Sequence, residues 1–178
     1  MPEKIRGFTL IELLIVVAIV GILTTIVIPN LSVAVNRSKQ KATMKDLIAI
    51  STAIADYITD NGAAPVQDGA YEASSAFYQA LSPLYIKSLP IKDKWGHGFR
   101  AWTGTNATEY GLTNPDRDDF LVASFGKDGQ QESFTFQPKS PDAGFFKLKK
   151  MSDFNKDLVI WNGTWIRCPG IPGRKTGC

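Results

Sequence analysis

The side chains that most often perform catalysis or bind transition metals are scarce in this chain. His97 is the only histidine, and Cys168 and Cys178 are the only cysteines among 178 residues. This composition excludes most metal sites built from His and Cys, and every His-dependent triad that does not use His97. His97 lies between Gly96 and Gly98 in a predicted turn, where no nucleophile with a fitting context is visible. We therefore predict that the chain is not an enzyme.

Aspartates offer a different chemistry, because calcium takes about six to eight oxygen ligands. Asp128 stands in a Lys-Asp-Gly turn, and Asp153 and Asp157 follow later in the chain. A turn supplies carbonyl oxygens beside carboxylates, so these three aspartates form a candidate calcium site. The alternative is an ordinary Asp-Gly turn with solvated aspartates. A second acidic cluster that could serve instead comprises Asp116, Asp118 and Asp119.

Glu12 is the only charged residue between positions 8 and 31, which are mostly apolar. A carboxylate in such surroundings is costly unless it is paired or protonated. One interpretation places Glu12 at a membrane interface, close to the start of a helix. The other gives it a role in assembly, in which a second copy of the chain supplies its partner.

The apolar run 8–31 predicts a helix about 36 Å long, enough to cross the hydrocarbon core of a bilayer. Lys4 and Arg6 precede the run and favour a cytoplasmic N-terminus, with the rest of the chain on the opposite side. A secretory signal peptide is the alternative, but its apolar region is shorter and ends at a small-residue cleavage site. Here the run is too long, and residues 24–29 are a poor site of that kind.

Helical periodicity continues beyond the apolar run. Apolar residues recur at spacings of three and four: Leu47, Ile50, Ile54 and Ile58. Asn61-Gly62 is a stop signal, so we predict one helix over 8–60, with 8–31 as its transmembrane part. Pro29 is expected to kink or locally unwind it. The basic group 37–45 is either a solvated face or a surface for anionic lipid or a neighbouring subunit.

Residues 61–178 have the composition of a globular head, with frequent Gly and Pro and short β-type runs. A second helix is predicted over 72–81. Strands are predicted over 99–103, 120–125, 134–136, 158–161 and 164–167. The predicted fold is α+β, with the outer half of the long helix packed on a small antiparallel sheet.

The two cysteines lie close together near the C-terminus, with nine residues between Cys168 and Cys178. The compartment beyond an inner membrane is oxidising, so we predict a disulfide that closes the C-terminal tail. Two free cysteines, or a link between chains, are the alternatives.

The stretch Gly7-Phe8-Thr9-Leu10-Ile11-Glu12, followed by an unbroken apolar run, resembles the signature of prepilins. These are the precursors of type IV pilins and of type II secretion pseudopilins. The resemblance implies that 1–7 is a leader, that a prepilin peptidase cuts after Gly7, and that the new Phe8 amine is methylated. It also implies the pilin fold, in which 8–31 forms the core of a polymer, and pairing of Glu12 with the Phe8 amine of a neighbouring subunit.

The head resembles the major pseudopilins of type II secretion. The matching landmarks, in order, are Asp60-Asn61-Gly62, Leu84-Tyr85-Ile86-Lys87-Ser88-Leu89-Pro90, Asp93-Lys94-Trp95-Gly96 and Ser124-Phe125-Gly126-Lys127-Asp128-Gly129. Lys94 stands where that family usually has proline, Gly98 replaces a second proline, and residues 129–156 separate Asp128 from Asp157. The resemblance also implies a structural calcium near Asp128.

Together, these resemblances imply a structural subunit of a pseudopilus, a homopolymer assembled from precursors that cross the inner membrane once. The implied partners are the peptidase and methyltransferase, an inner-membrane platform and ATPase, and minor pilins or pseudopilins. The alternative is the major pilin of a surface type IV pilus. The alternative of a membrane-tethered enzyme is disfavoured because no set of catalytic residues is visible. The alternative of a subunit at the filament tip is disfavoured by the presence of Glu12. The net charge of +3, or +2 without a leader of net charge +1, does not favour nucleic-acid binding.

Overall fold

A computed structural model describes residues 7–170 of the chain. Its first element is helix α1, Leu10–Asn61, with 52 residues, close to the predicted 8–60. The backbone stays helical through position 29, so local unwinding at Pro29 does not occur, while a kink there stays a prediction. By its internal contacts the chain divides into two compact units, Met1–Arg37 and Ser38–Cys178, so the second unit includes the outer part of α1.

Within the second unit, one face of α1 forms part of the hydrophobic core. Leu47, Ile50 and Ile54 are completely buried, and their spacing of three and four residues places them on one side of the helix. They belong to a cluster that includes Phe120 and Val122 of the central strand. This packing holds the outer part of α1 against the sheet, as the periodicity predicted.

Within residues 61–170, the head adds one short α-helix and six strands. Helix α2 spans Ala76–Leu81, and Ser75 caps it by accepting a hydrogen bond from the Tyr78 N–H. The strands are β1 Asp68–Ala70, β2 Arg100–Thr103, β3 Phe120–Ser124, β4 Phe145–Phe146, β5 Leu158–Trp161 and β6 Thr164–Pro169. Their order in the sheet is β1-β2-β3-β5-β6-β4. This arrangement confirms the predicted α+β class.

The structure differs from the predicted head in its sheet and in its short helix. The sheet is mixed, because β4 pairs with β6 in parallel while the other neighbours are antiparallel. The predicted strand 134–136 is not a strand, although Phe136 donates a backbone hydrogen bond to the Tyr110 carbonyl. The predicted helix 72–81 is shorter, and β1 and β4 were not predicted because two or three residues carry no readable alternation.

Both faces of β3 are buried, which explains the apolar residues at 134–136. Val122 faces the cluster that contains α1, whereas Leu121 and Ala123 face a second cluster. Phe134 and Phe136 pack against that second cluster, and the Phe136 ring lies 5.8 Å from that of Trp161. Residues 129–156, which separate Asp128 from Asp157, thus supply side chains that cover the outer face of the sheet.

Arg167 of β6 anchors this covering segment. Its Nε and Nη2 atoms donate to the Glu132 carboxylate over 2.7–3.1 Å, and Nη1 donates to the Gly144 carbonyl over 3.1 Å. The guanidinium also lies 4.6 Å from the ring centroid of Phe134 and 5.1 Å from that of Phe146. One buried side chain therefore contacts the segment at four points.

Replacement of this arginine should loosen the covering segment. We expect Arg167→Ala to lower the free energy of unfolding by about 3 kcal/mol, because it leaves Glu132 without its cation and Gly144 without its donor. Arg100, whose guanidinium lies 5.5 Å from the Phe125 ring centroid, is the matched control. Arg100→Ala should cost about 1 kcal/mol or less. Chemical denaturation of the full-length protein in detergent measures both; equal losses would contradict the anchoring role.

Candidate functional site

The N-terminus of α1 is closed by a reciprocal pair of side chains. Thr9 donates from its backbone N–H to Glu12 Oε2 over 2.9 Å and from its hydroxyl over 2.7 Å. In return, the Glu12 N–H donates to Thr9 Oγ1 over 3.3 Å. This is a capping box, in which the residue before the helix and the third helical residue satisfy each other's backbone groups.

The capping box gives Glu12 a role that the sequence analysis missed. Thr9-Leu10-Ile11-Glu12 matches the T-x-x-E pattern of capping boxes, and that pattern could have revealed it. Among the residues described, only Oε2 of Glu12 takes part in hydrogen bonds. The second carboxylate oxygen, Oε1, makes no hydrogen bond to the described residues.

The described large apolar side chains between positions 8 and 31 all face solvent. Their exposed fractions range from 49% at Val16 to 83% at Leu10, and Phe8 is 73% exposed. Contiguous apolar surface of this kind marks a region that is buried by something else.

Over residues 7–170, no helix meets the combined criteria of length and hydropathy for a membrane-crossing segment. The membrane span at 8–31 therefore stays a prediction.

Two of the candidate calcium ligands line one cavity of about 350 Å³, which also includes Glu132 and Asn155. Asp128 is exposed, and its Oδ1 accepts a hydrogen bond from the Gln130 N–H over 3.2 Å. Asp153 Oδ2 accepts from the backbone N–H groups of residues 149 and 150 over 2.7 and 2.8 Å. The N–H of Lys150 is the main cause that lowers the Asp153 pKa, so this carboxylate is ionised and locally satisfied.

The third candidate, Asp157, is fully buried and does not line that cavity. Its Oδ2 accepts from the Tyr110 hydroxyl over 2.7 Å and from the Glu132 N–H over 3.0 Å. Its Oδ1 is buried and has no hydrogen-bond partner within the described part of the chain. Burial raises the pKa of Asp157 to about 6. Asp157 is therefore a buried carboxylate with one unsatisfied oxygen.

The structure has one feature that favours a calcium site at these residues and one that does not. The unsatisfied oxygen of Asp157 fits a cation, but nowhere in the described ranges do three His, Cys, Asp or Glu side chains converge to hold a metal. In the alternative cluster, Asp119 accepts from the Asp116 N–H and from the side-chain amide of Asn162, so it is used within a turn. Calcium stays a prediction.

The remaining predicted residues have structural surroundings. Cys168 is fully buried in β6, whereas Cys178 lies outside the described residues, so the disulfide stays a prediction. His97 is half-buried, and its Nε2 lies 3.1 Å from the Lys127 carbonyl oxygen. Gly129 packs so closely on this ring that a Cβ there would lie 2.5 Å from Nδ1. The surroundings of His97 thus indicate packing against a turn.

Comparison with known proteins agrees with this structure. The prokaryotic N-terminal methylation motif matches residues 4–28. This motif, with a long N-terminal helix packed on a small sheet, defines a prepilin-type protein. The type II secretion system core protein G of Vibrio cholerae serotype O1 is 33% identical over 72% of this chain and 85% of its own length. The chain belongs to the family of type II secretion system core proteins G.

Two further relatives support the same assignment. The core protein G of Escherichia coli strain K12 is 31% identical over 72% of this chain and 86% of its own length. That of Klebsiella pneumoniae is 29% identical over 74% of this chain and 91% of its own length. The similarity therefore extends well beyond the N-terminal motif and into the head.

The buried carboxylate predicts a dependence of stability on pH in the absence of metal. The pKa of an unfolded Asp is about 3.9 and that of the folded Asp157 is about 6, so the folded protein binds more protons between these values. Its contribution to stability is therefore lost as the pH rises through that range. In EDTA at pH 7, we expect Asp157→Asn to stabilise the protein by about 1–2 kcal/mol, and to lose this gain towards pH 4. The exposed Asp128→Asn is the control and should change little.

The same variant tests calcium. If calcium binds, the melting temperature of the wild-type protein rises with calcium and falls with EDTA, and Asp157→Asn removes the difference. Identical wild-type melting curves in calcium and in EDTA would contradict the calcium prediction.

Proposed function

We propose that this chain is a structural subunit of a type II secretion pseudopilus and that it polymerises through α1. Membership of the core protein G family supports this function. The observation that carries the mechanism is the continuous exposed apolar surface that follows the stretch 7–12. A structural subunit needs no catalytic site, and its relatives carry the names of secretion-system core proteins.

Processing at the N-terminus would precede assembly. Gly7 is exposed, and apart from its chain neighbours no atom of the described residues lies within 4 Å of the position where its side chain would begin, which supports access by a peptidase. We propose that the precursor is anchored in the inner membrane, that it is cleaved between Gly7 and Phe8, and that the new amine is methylated. The product would be a periplasmic filament. The assembly platform, the ATPase and the minor pseudopilins are partners that the resemblance implies.

The apolar surface alone does not determine how far one subunit is displaced along its neighbour. Transfer from lipid to a filament exchanges one apolar surrounding for another, so burial of these side chains gives little net drive. The hydrophobic effect is also non-directional. A polar contact is needed to select the axial register.

Glu12 is suited to make that contact. Cleavage would create an amine at Phe8, and an incoming subunit's amine can approach the Oε1 atom that the capping box leaves unoccupied. Two unit charges about 4 Å apart attract by roughly 4 kcal/mol at an effective dielectric constant near 20. A displaced subunit would leave both charges unpaired in apolar surroundings, at a cost of several kcal/mol. The pair therefore penalises wrong registers.

The capping box makes it possible to separate the two roles of Glu12. Glu12→Gln retains the T-x-x-E/Q capping pattern but loses the charge, whereas Thr9→Ala removes the cap and keeps the charge. If the charge sets the register, Glu12→Gln should reduce filament yield about tenfold or more, and as strongly as Glu12→Ala. Thr9→Ala should cost only about 1 kcal/mol of helix stability and leave most of the yield.

Filaments would be counted in a strain that lacks the wild-type subunit, and the N-terminal mass of each variant would establish cleavage after Gly7. Normal yield from both Glu12 variants would refute the role of the charge. Deletion of the gene should abolish secretion of type II substrates. Loss of surface fibres with secretion intact would instead indicate a surface type IV pilus.

A further inference from the structure

One end of the sheet lies beside the point where α1 enters the second compact unit. Ser124, the last residue of β3, donates from its hydroxyl to the buried Asp93 carboxylate over 2.7 Å. The next residue after that aspartate, Lys94, donates from its backbone N–H to Thr43 Oγ1 over 3.2 Å. Thr43 lies close to Ser38, where the second unit begins. We call this end of the sheet the entry end.

The opposite end of the sheet lies beside the last residues of α1. Ala64, three residues after the helix ends, donates from its N–H to the Arg117 carbonyl over 3.0 Å. Thr103, the last residue of β2, donates from its hydroxyl to the Pro65 carbonyl over 2.6 Å and pairs with Phe120, the first residue of β3. We call this end of the sheet the far end.

Strand pairing places a lysine-rich stretch at the entry end. Ser124 pairs with Leu158 of β5, and β6 runs antiparallel to β5, so β6 ends at the entry end with Pro169. Phe146, the last residue of β4, pairs with Pro169 because β4 is parallel to β6. The chain therefore leaves β4 at the entry end, and exposed lysines follow at once. We call them the lysine strip: Lys147, Lys149 and Lys150.

Local hydrogen bonds keep this stretch at the entry end. The backbone N–H groups of residues 149 and 150 donate to Asp153 Oδ2 over 2.7 and 2.8 Å. Lys127, three residues after the end of β3, donates from its N–H to the Phe154 carbonyl over 2.8 Å. The backbone of the lysine strip is thus fixed while its side chains stay exposed.

The two ends carry charge of opposite sign. The entry end presents exposed lysines from two separate elements, α1 and the lysine strip: Lys39, Lys41, Lys45, Lys147, Lys149 and Lys150. Among the described residues, none of these lysines forms a salt bridge. The far end instead carries aspartates, with Arg117 as the one cation between positions 116 and 119: Asp56, Asp60, Asp116, Asp118 and Asp119.

Acidic groups of the entry end do not cancel its lysines. Asp46 lies 2.7 Å from Lys94, and Asp153 lies 3.7 Å from Lys156, so each already has its own cation. Asp128 is exposed, but it is a single carboxylate. The entry end therefore presents a net positive surface to its surroundings.

A bilayer that holds residues 8–31 would lie within reach of the entry end. Residues 32–37 alone separate that predicted span from the second unit, and even a fully extended chain of this length covers only about 22 Å. Lysine is a point charge without the planar fork by which arginine matches a single carboxylate. Several separate lysines therefore suit phosphate groups that are spread over a surface, as in an anionic bilayer.

We propose that the entry end of the head is a docking surface for anionic phospholipid, in which the lysine strip and the lysines of α1 bind headgroup phosphates of the bilayer that anchors the precursor. The inference rests on the anchored precursor proposed above. An anionic surface attracts the entry end and repels the acidic far end, so the separation of charge orients the head. Docking of this kind holds an unassembled subunit on the membrane, and salt weakens it.

Lysine reactivity tests the contact in the full-length protein. The chain is placed in nanodiscs of phosphatidylcholine, either alone or mixed with phosphatidylglycerol, and its amines are acetylated and mapped by mass spectrometry. At low salt, phosphatidylglycerol should lower the reactivity of the lysine strip by about threefold or more. About 1 M salt, at which the Debye length falls to about 3 Å, should restore it.

Lys87 is the internal control for this experiment. It is exposed, and it lies two residues after Tyr85, whose hydroxyl accepts from the side-chain amide of Asn61 at the end of α1 over 3.2 Å. Its reactivity should be the same in both lipid mixtures. Equal reactivity of the lysine strip in the two mixtures would overturn the docking surface. A fall at Lys87 as large as that at Lys150 would overturn the orientation of the head.

Paired variants test which end of the head makes the contact. Lys147→Gln with Lys149→Gln should return the reactivity of Lys150 in phosphatidylglycerol to within about twofold of its value in phosphatidylcholine. The matched control, Lys87→Gln with Arg117→Gln, makes the same change of net charge at the far end and should leave Lys150 protected. Equal loss of protection in both double variants would contradict the docking surface. Melting temperatures in detergent should match that of the wild type, which separates lost docking from misfolding.

Failure of this inference differs from failure of the proposed function. A chain that stays in the nanodiscs but shows no effect of phosphatidylglycerol would overturn the docking surface and leave the anchored precursor intact. A chain that does not remain in nanodiscs of either composition would overturn the membrane anchor, and the inference with it.

Discussion

The first part of α1 exposes apolar side chains that its own compact unit does not bury, and the proposed assembly of the chain depends on this constraint. Apolar surface in water is unfavourable by about 25 cal/mol per Å². A helix that is apolar on all sides is typical of a membrane or of the interior of a large assembly. A bilayer and the core of a filament both surround such a helix with apolar groups, and the free energies of the two environments are similar. Transfer of a subunit from the bilayer to the filament therefore involves little net change in free energy.

Because apolar contacts are non-directional, polar groups must select the arrangement of subunits. Oε2 of Glu12 caps the helix, and in the proposed filament Oε1 would pair with the amine of a neighbouring subunit. In the proposed filament, a displaced subunit would leave the charge of Glu12 unpaired in apolar surroundings. Specificity in such a polymer thus comes from a few costly groups within a large permissive surface.

The sheet of the head has two faces, and only one of them packs against α1. Residues 129–156 supply Phe134 and Phe136 to the second face, and Arg167 joins this segment to β6. The extra length between Asp128 and Asp157 is therefore structural cover for the sheet. Asp157 lies beneath this cover, which explains why its carboxylate is buried and has a raised pKa.

The sequence by itself determined the features that depend on local periodicity and on short motifs. The spacing of Leu47, Ile50 and Ile54 identified the buried face of α1, and the runs around β2, β3, β5 and β6 identified the main strands. The prepilin signature identified the family because its residues are contiguous. The T-x-x-E pattern of the capping box is equally local, so the sequence alone is enough to predict it.

Tertiary structure decided what depends on residues far apart in the chain. The parallel pairing of β4 with β6 is specified by only two residue pairs, too few for any pattern. The alternation at 134–136 reflects a surface to be covered, which no local rule distinguishes from a strand. Whether Asp128, Asp153 and Asp157 lie close together also depends on the tertiary structure. The fold buries Asp157 and places Asp128 and Asp153 at a separate cavity. Periodicity reports which face of an element is apolar, but the position of its partner is set by packing across the whole chain.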